Sequence, residues 1–167
     1  MENGQEQMII RNAEEDDARQ IAEILVEDWQ KAYRGIMDDA FLDAMTVENR
    51  YEIELRRFEK LIVAADGDTV LGYAWPEEAD EAPADCEVIA LYVRYAQRKN
   101  GIGKLLMEYA FSRFREAGKK CMIAWCLKEN HESRKFYERI GGKEFRTGSH
   151  NWGGRDYEMI SYLYDLT

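Results

Sequence analysis

Apolar positions along this chain recur at two periods, and the switches between them divide it into elements. Residues 8–11 form a short apolar run that reads as a strand. Over 14–33 the residues Ala18, Ile21, Ala22, Leu25, Val26 and Trp29 recur at intervals of three and four. Glu15, Asp16, Asp17, Arg19, Glu23 and Glu27 fall between them, so the segment predicts an amphipathic helix with its charges in water, stopped by Gly35. A second helical region spans 38 to about 58, broken near Thr46, which can cap its second piece. Residues 61–65 and 70–75 predict strands joined by Asp66-Gly67-Asp68, a hairpin signal. The stretch 77–85, EEADEAPAD, with Pro83 near its end, reads as an acidic, solvated loop.

The second half is organised around residues 87–120. A β-branched and aromatic run, 88–93, leads into a polar, glycine-bearing turn at 97–103. The turn opens directly into Leu105, Leu106, Tyr109, Ala110 and Phe114 at helical spacing, with Gly118 placed to end the helix. Residues 121–127 are almost continuously apolar, which suits a strand buried on both faces beside a parallel neighbour. The unit 87–127 is then a right-handed strand–helix–strand. Residues 130–140 predict a helix with Ser133, Phe136, Tyr137 and Ile140 inward, closed by Gly141-Gly142. The segments 143–146 and 157–164 predict a last antiparallel pair, with GSHNWGGRD as its connection. The predicted order is β-α-α-β-β-β-α-β-α-β-β, a mixed α/β fold around one sheet.

A length of 167 residues suits one domain over 1–167, with 1–7 as a disordered or extended tail. No apolar run is long enough to span a membrane, and the first residues, MENGQEQ, do not read as a signal peptide. Cys86, Cys121 and Cys126 are odd in number and fall in or beside predicted strands, as buried thiols in a reducing cytoplasm would. No CxxC or HxxxH pair suggests a metal, and His131 and His150 stand apart. The formal net charge of −10 argues against nucleic acid as a partner and is compatible with a cationic substrate, although acidity for solubility alone explains it as well.

Strand, glycine turn, helix is the layout of a phosphate cradle. The turn carries neither GxxxxGK[ST] nor GxGxxG, since Gly101-Ile102-Gly103 is followed by Lys104, Leu105 and Leu106. It reads Arg98-Lys99-Asn100-Gly101-Ile102-Gly103, or R/Q-x-x-G-x-G/A, and resembles the acetyl-CoA pyrophosphate loop of the GNAT N-acetyltransferase superfamily. The predicted element order resembles the GNAT fold from end to end. The segment from Ala124 to Gly141 is similar to the superfamily's strand followed by N-x-x-A/S-x-x-F-Y-x-x-x-G-F. It departs once: Gly142 and Lys143 stand where phenylalanine is usual, and Phe145 is the expected substitute anchor. Trp29, Tyr33, Gly35, Phe41, Leu42 and Met45 are similar to a bacterial branch whose acceptors are mostly small molecules or uncharacterised.

The resemblance implies a donor, acetyl-CoA, and an acceptor, the primary amine of a small molecule, in a monomer or homodimer that needs no metal. A protein or peptide acceptor, or a catalytically silent CoA-binding domain, are the alternatives. By the same resemblance, residues Arg98, Lys99, Asn100, Gly101, Ile102, Gly103 and Lys104 would hold the pyrophosphate. Leu91, Tyr92 and Val93 would pair with the pantetheine arm, and a freed N–H of that strand would meet the carbonyl oxygen, a role worth about 3–4 kcal/mol. Asn130 and Ser133 would lie along the arm, though Asn130 also suits a helix N-cap. Tyr137 would be the general acid: a phenol near pKa ~10 matches an alkyl thiol. Glu87 is the candidate base, with His150 and Asp156 or a solvent path behind it. Trp29 and Tyr33 would line the acceptor pocket, or serve only as helix core. Trp125 stands where protein N-terminal acetyltransferases of the superfamily carry a glutamate, so that base is missing.

Overall fold

The computed structural model describes residues 7–167. Of the tail expected at 1–7, only Gln7 falls among them, and it is exposed; residues 1–6 lie outside. Strand β1 (Ile9–Asn12) leads through a 3-10 turn, Glu15–Asp17, into helix α1 (Ala18–Ala32). The buried face of α1 is the expected one, with Ala18, Ile21, Ala22, Leu25 and Val26 all in the core. Asp17 is a correction: it is buried instead of solvated. Arg11 grips its two carboxylate oxygens at 2.7 and 3.0 Å, and the carboxylate accepts from the Glu14 amide at 2.8 Å. Those partners are what let a carboxylate stay inside.

The second helical region breaks where expected. Helix α2 (Asp39–Asp43) is followed by α3 (Val47–Leu55), and Thr46 Oγ1 caps α3 by accepting from the Asn49 amide at 3.2 Å. Strands β2 (Ile62–Asp66) and β3 (Thr69–Glu81) form the expected hairpin around Gly67, whose φ is 57°. The acidic segment 77–85 is not a loop. Strand β3 runs to Glu81 and β4 (Ala84–Val93) starts at Ala84, with Glu77 facing Glu87 and Glu78 facing Cys86. Ala84, Cys86 and Val88 are buried on one face of β4 and give the hairpin an apolar side. Asp85 and Glu87 alternate to the other face, and Glu78, across from Cys86, is exposed and meets Lys119 at 3.2 Å.

Helix α4 (Ile102–Glu116), strand β5 (Cys121–Leu127), helix α5 (His131–Arg139) and strands β6 (Lys143–Trp152) and β7 (Arg155–Asp165) complete the chain. The seven strands lie in the order β1-β2-β3-β4-β5-β7-β6. Helices α1 and α3 cover one face; α4 and α5 cover the other. On α4 the buried stripe is Ile102, Leu106, Met107, Ala110, Phe111 and Phe114, whereas Leu105 is 41% exposed. Burying a leucine such as Leu106 stabilises the packing by roughly 2 kcal/mol.

Two corrections concern the last hairpin. The stretch 148–156, expected as connection, is strand except for its tip: Gly148 pairs with Met159, His150 with Tyr157 and Trp152 with Arg155, around a Gly153-Gly154 turn with φ of 61° and 82°. A Gly-Gly pair supplies the positive φ that a tight hairpin needs. Phe145 is 38% exposed and anchors nothing at the α5 exit. The space belongs to Tyr164, whose hydroxyl donates to the Tyr137 carbonyl at 2.8 Å; a Cβ on Gly142 would sit 2.8 Å from that hydroxyl.

Candidate active site

Strands β4 and β5 pair in parallel only over residues 86–88 and 122–124, although β4 runs on to Val93 and β5 to Leu127. Beyond Val88 they part. A bulge in β4 lies at the same point. Trp75 faces Ala90 while Pro76 faces Val88, leaving Ile89 without a partner on β3. Pro76 has no N–H to offer the ladder, so the irregularity falls where pairing is weakest. The parting opens a cavity of about 950 Å³ between the two helical layers.

One half of the cavity is built on the glycine turn. Lys99 and Gly101 have φ of 68° and 80°, which turns the chain into α4. The first intrahelical bond runs from the Leu105 amide to the Gly101 carbonyl at 3.1 Å, so the amides of Ile102, Gly103 and Lys104 point out of the helix end. With the positive end of the helix dipole behind them they form an anion site. A Cβ on Gly103 would lie 3.3 Å from the Phe136 ring, which shows how closely α5 approaches the turn. Lys99 and Lys104 line the cavity and add positive charge. Arg98 lines it too, but its guanidinium bonds Asp28 of α1, reaches Glu132 at 3.5 Å and lies 4.9 Å over the Tyr95 ring. Backbone donors, dipole and cations together fit a pyrophosphate. Asn100 alone of the seven turn residues does not line the cavity; its amide donates to Gln97 at 3.3 Å.

Leu91, Tyr92, Val93, Asn130, Ser133 and Tyr137 line the continuation of this half. Asn130 caps α5, accepting from the Ser133 amide at 3.2 Å. Tyr137 is buried, its ring stacked on Tyr162 at 5.8 Å. Burial raises its phenol well above the ordinary value, so it stays protonated through the neutral range. Burial likewise pushes the neighbouring Cys126 thiol up to about 12, which leaves it no thiolate with which to intercept an acyl group.

The other half faces α1. Glu87 lies there, half-buried, and its carboxyl is raised first by burial and then by Glu81 and Glu77. Trp29 meets Tyr33 edge-on at 5.0 Å and Trp152 at 5.7 Å, and its indole N–H donates to the Tyr92 hydroxyl at 3.0 Å. Trp152 in turn lies 4.1 Å from the His150 ring. The Trp125 ring lies against Gly148, where an added Cβ would come within 3.1 Å, and its N–H reaches Glu81 at 3.4 Å. Arg146 of β6 bonds the same Glu81, tying the two hairpins together.

Sequence reasoning named Trp29, Tyr33 and Glu87 in this half, and all three line it. It missed Asp28, Gly148 and Trp152, and took Trp125 only for a missing glutamate. His150 also lines the cavity, whereas Asp156 does not and instead accepts from Asn151 at 2.9 Å. The Gly153-Gly154 pair was the available signal, since a hairpin there puts Gly148, His150 and Trp152 on one face of a strand. Among the described residues, no group of three or more His, Cys, Asp or Glu is placed to hold a metal, and no helix is long and apolar enough to cross a membrane.

The sequence profile of the acetyltransferase (GNAT) family matches residues 18–142. A probable N-acetyltransferase of Mycobacterium tuberculosis is 29% identical over 146 residues, covering 81% of this chain and 82% of the relative. The fold is that of the PaiA N-acetyltransferase of Thermoplasma acidophilum, solved in complex with coenzyme A. Its TM-score is 0.74 at 20% identity, over 95% of this chain and 99% of that one. YncA of Salmonella typhimurium, solved with acetyl-CoA, superposes with a TM-score of 0.70 at 21% identity, over 96% and 95% of the two chains. The chain belongs to the acetyltransferase (GNAT) family and is an acetyl-CoA-dependent N-acetyltransferase.

Proposed function

We propose that the whole chain, 1–167, acts as one cytoplasmic domain, monomeric or dimeric, that acetylates the primary amine of a small molecule by direct attack. The observation that carries the reading is the parting of β4 and β5 beside the α4 helix end, with Tyr137 on the wall of the same cavity. Bound acetyl-CoA supplies an activated acetyl group on sulfur.

The protein's part in that reaction is to hold, polarise and move protons. The amides of Ile102, Gly103 and Lys104, with Lys99, Lys104 and Arg98 nearby, hold the pyrophosphate. Leu91, Tyr92 and Val93 offer strand edge to the pantetheine arm, and the bulge at Ile89 supports a free β4 amide as oxyanion donor. Asn130 and Ser133 border the arm. Glu87, its carboxyl raised by burial and by Glu81 and Glu77, accepts the ammonium proton directly or through water, so that the amine attacks as a free base. Tyr137 donates its phenolic proton to the departing thiolate.

Trp152 on Trp29, and Arg146 on Glu81, bridge the acceptor half on two sides. Each bridge would have to open for an extended peptide to pass, which favours a small acceptor over a protein. The test is thiol release from acetyl-CoA over small amines, peptides and protein extracts, with the acetylated product identified by mass. Turnover of a small primary amine supports the reading; turnover confined to peptides or proteins overturns it.

A further inference from the structure

The two halves of the cavity differ in charge as well as construction. Every lysine and arginine that lines it, Arg98, Lys99, Lys104 and Arg139, stands on the glycine turn, the start of α4 or α5. The acceptor half is walled by Trp29, Tyr33, Trp125, His150 and Trp152, with two lining carboxylates, Asp28, which Arg98 holds, and Glu87, which has no ion-pair partner among the described residues. Arg146 of β6, which does not line the cavity, is held on Glu81. The indole N–H of Trp29 is bonded to Tyr92 and that of Trp125 to Glu81, so these two side chains offer the cavity ring surface and no donors.

From this arrangement we infer that the acceptor is a monoamine carried on an aromatic or similarly flat apolar body, of the arylalkylamine type. The inference rests on the small-amine reading above. Ring faces attract a cation and cover apolar carbon, and a single half-buried carboxylate matches a single ammonium. A polyamine would bring further charges, and the other lining carboxylates, Asp28 and Glu132, are already engaged by Arg98. A polyhydroxylated aminosugar would leave hydroxyls facing indole rings without partners. An amino acid would set its own carboxylate beside Glu87, in a half that no free cation lines among the described residues. Gly148 lets Trp125 lie this close to β6: an added Cβ would come within 3.1 Å of the ring and push it by a few tenths of an ångström.

The test compares kcat/KM for 2-phenylethylamine and tryptamine with putrescine, spermidine, kanamycin, phenylalanine and a short peptide, using the full chain and acetyl-CoA. The aryl amines should lead the others by about tenfold or more, the range set by cation–π contact and apolar fit. In Trp125→Leu the lead should shrink several-fold through KM, with kcat and CoA affinity near wild type. Trp fluorescence of Tyr137→Phe with CoA bound should change on adding 2-phenylethylamine. A polyamine, aminosugar or amino acid turned over with the aryl amines at background overturns the inference and leaves the small-amine reading standing. Activity on the peptide alone, or silence across the panel with CoA still bound, overturns both. An undiminished lead in Trp125→Leu removes Trp125 from the recognition.

Discussion

The cofactor half and the acceptor half of this cavity are made in different ways. The first uses backbone: three amides at the head of α4, two positive-φ residues and a strand edge, most of it within residues 91–104. The second uses side chains from α1, β4, β5 and β6, brought together only by the sheet order that sets β5 between β4 and β7. Backbone geometry tolerates most changes of side chain but fails where a glycine is lost or a new group enters. A side-chain wall fails residue by residue. The two halves should therefore separate under mutation, one governing CoA affinity and the other acceptor choice, with Tyr137 and Glu87 at their junction.

The largest expected effect lies at that junction. Tyr137→Phe keeps the ring stacked on Tyr162 and removes the proton, so kcat should fall by about 10²–10⁴, the range for a general acid. CoA affinity by calorimetry should stay within a few-fold. Unchanged turnover would return Tyr137 to the core as a packing residue.

Glu87→Gln should cost less, roughly 10–100-fold in kcat/KM near neutral pH. In the wild type kcat/KM should rise with pH through the raised Glu87 value. In the variant that limb should move toward the amine's own pKa, about 10.4 for an alkylamine. The effect on stability has the opposite sign. Because the folded protein holds the Glu87 proton more tightly than the unfolded chain, the stability this gives is present at low pH and is lost as pH rises through the folded value. At neutral pH the glutamine variant should melt no lower than wild type. A superimposable pH profile would take Glu87 out of the mechanism and pass attention to His150 or solvent.

The smallest effect should come from the acceptor wall. Trp152→Leu keeps an apolar side chain but loses the edge-on contact to Trp29 and the tilted one to Tyr157, and should raise the acceptor KM by about threefold to tenfold. CoA affinity should not move. A matching loss of CoA affinity would mean that the halves are not separable.

The same contrast governs how much could be read from sequence. The element order was legible because it follows local periodicity, and the break at Thr46 because its cap is local chemistry. The glycine turn was legible because its parts are contiguous, although Arg98 turned out to be bonded to Asp28, a partner 70 residues away. The long β3–β4 hairpin was not legible. Its carboxylates suggest solvent, and only pairing with a strand buried on its other face shows that solvent on one side is compatible with sheet. The acceptor wall was half legible: Trp29 and Tyr33 came through resemblance, whereas Gly148, His150 and Trp152 stood in a stretch whose polarity masked a strand. Asp17 was misread because periodicity places a residue on a helix face and says nothing of Arg11 across from it.

The central claim, that the head of α4 and its glycine turn hold the CoA pyrophosphate, is tested most directly by calorimetric titration of CoA into wild type and Gly103→Glu, with circular dichroism checking that both are folded. The carboxylate would enter the anion site and displace at least two charge-assisted hydrogen bonds, each worth about 1.5–3 kcal/mol. Affinity should fall by roughly 10²–10⁴ in the folded variant, beyond the reach of any acceptor-wall substitution. Equal CoA affinity in the two proteins would contradict the account, because the pyrophosphate would then have to be bound elsewhere.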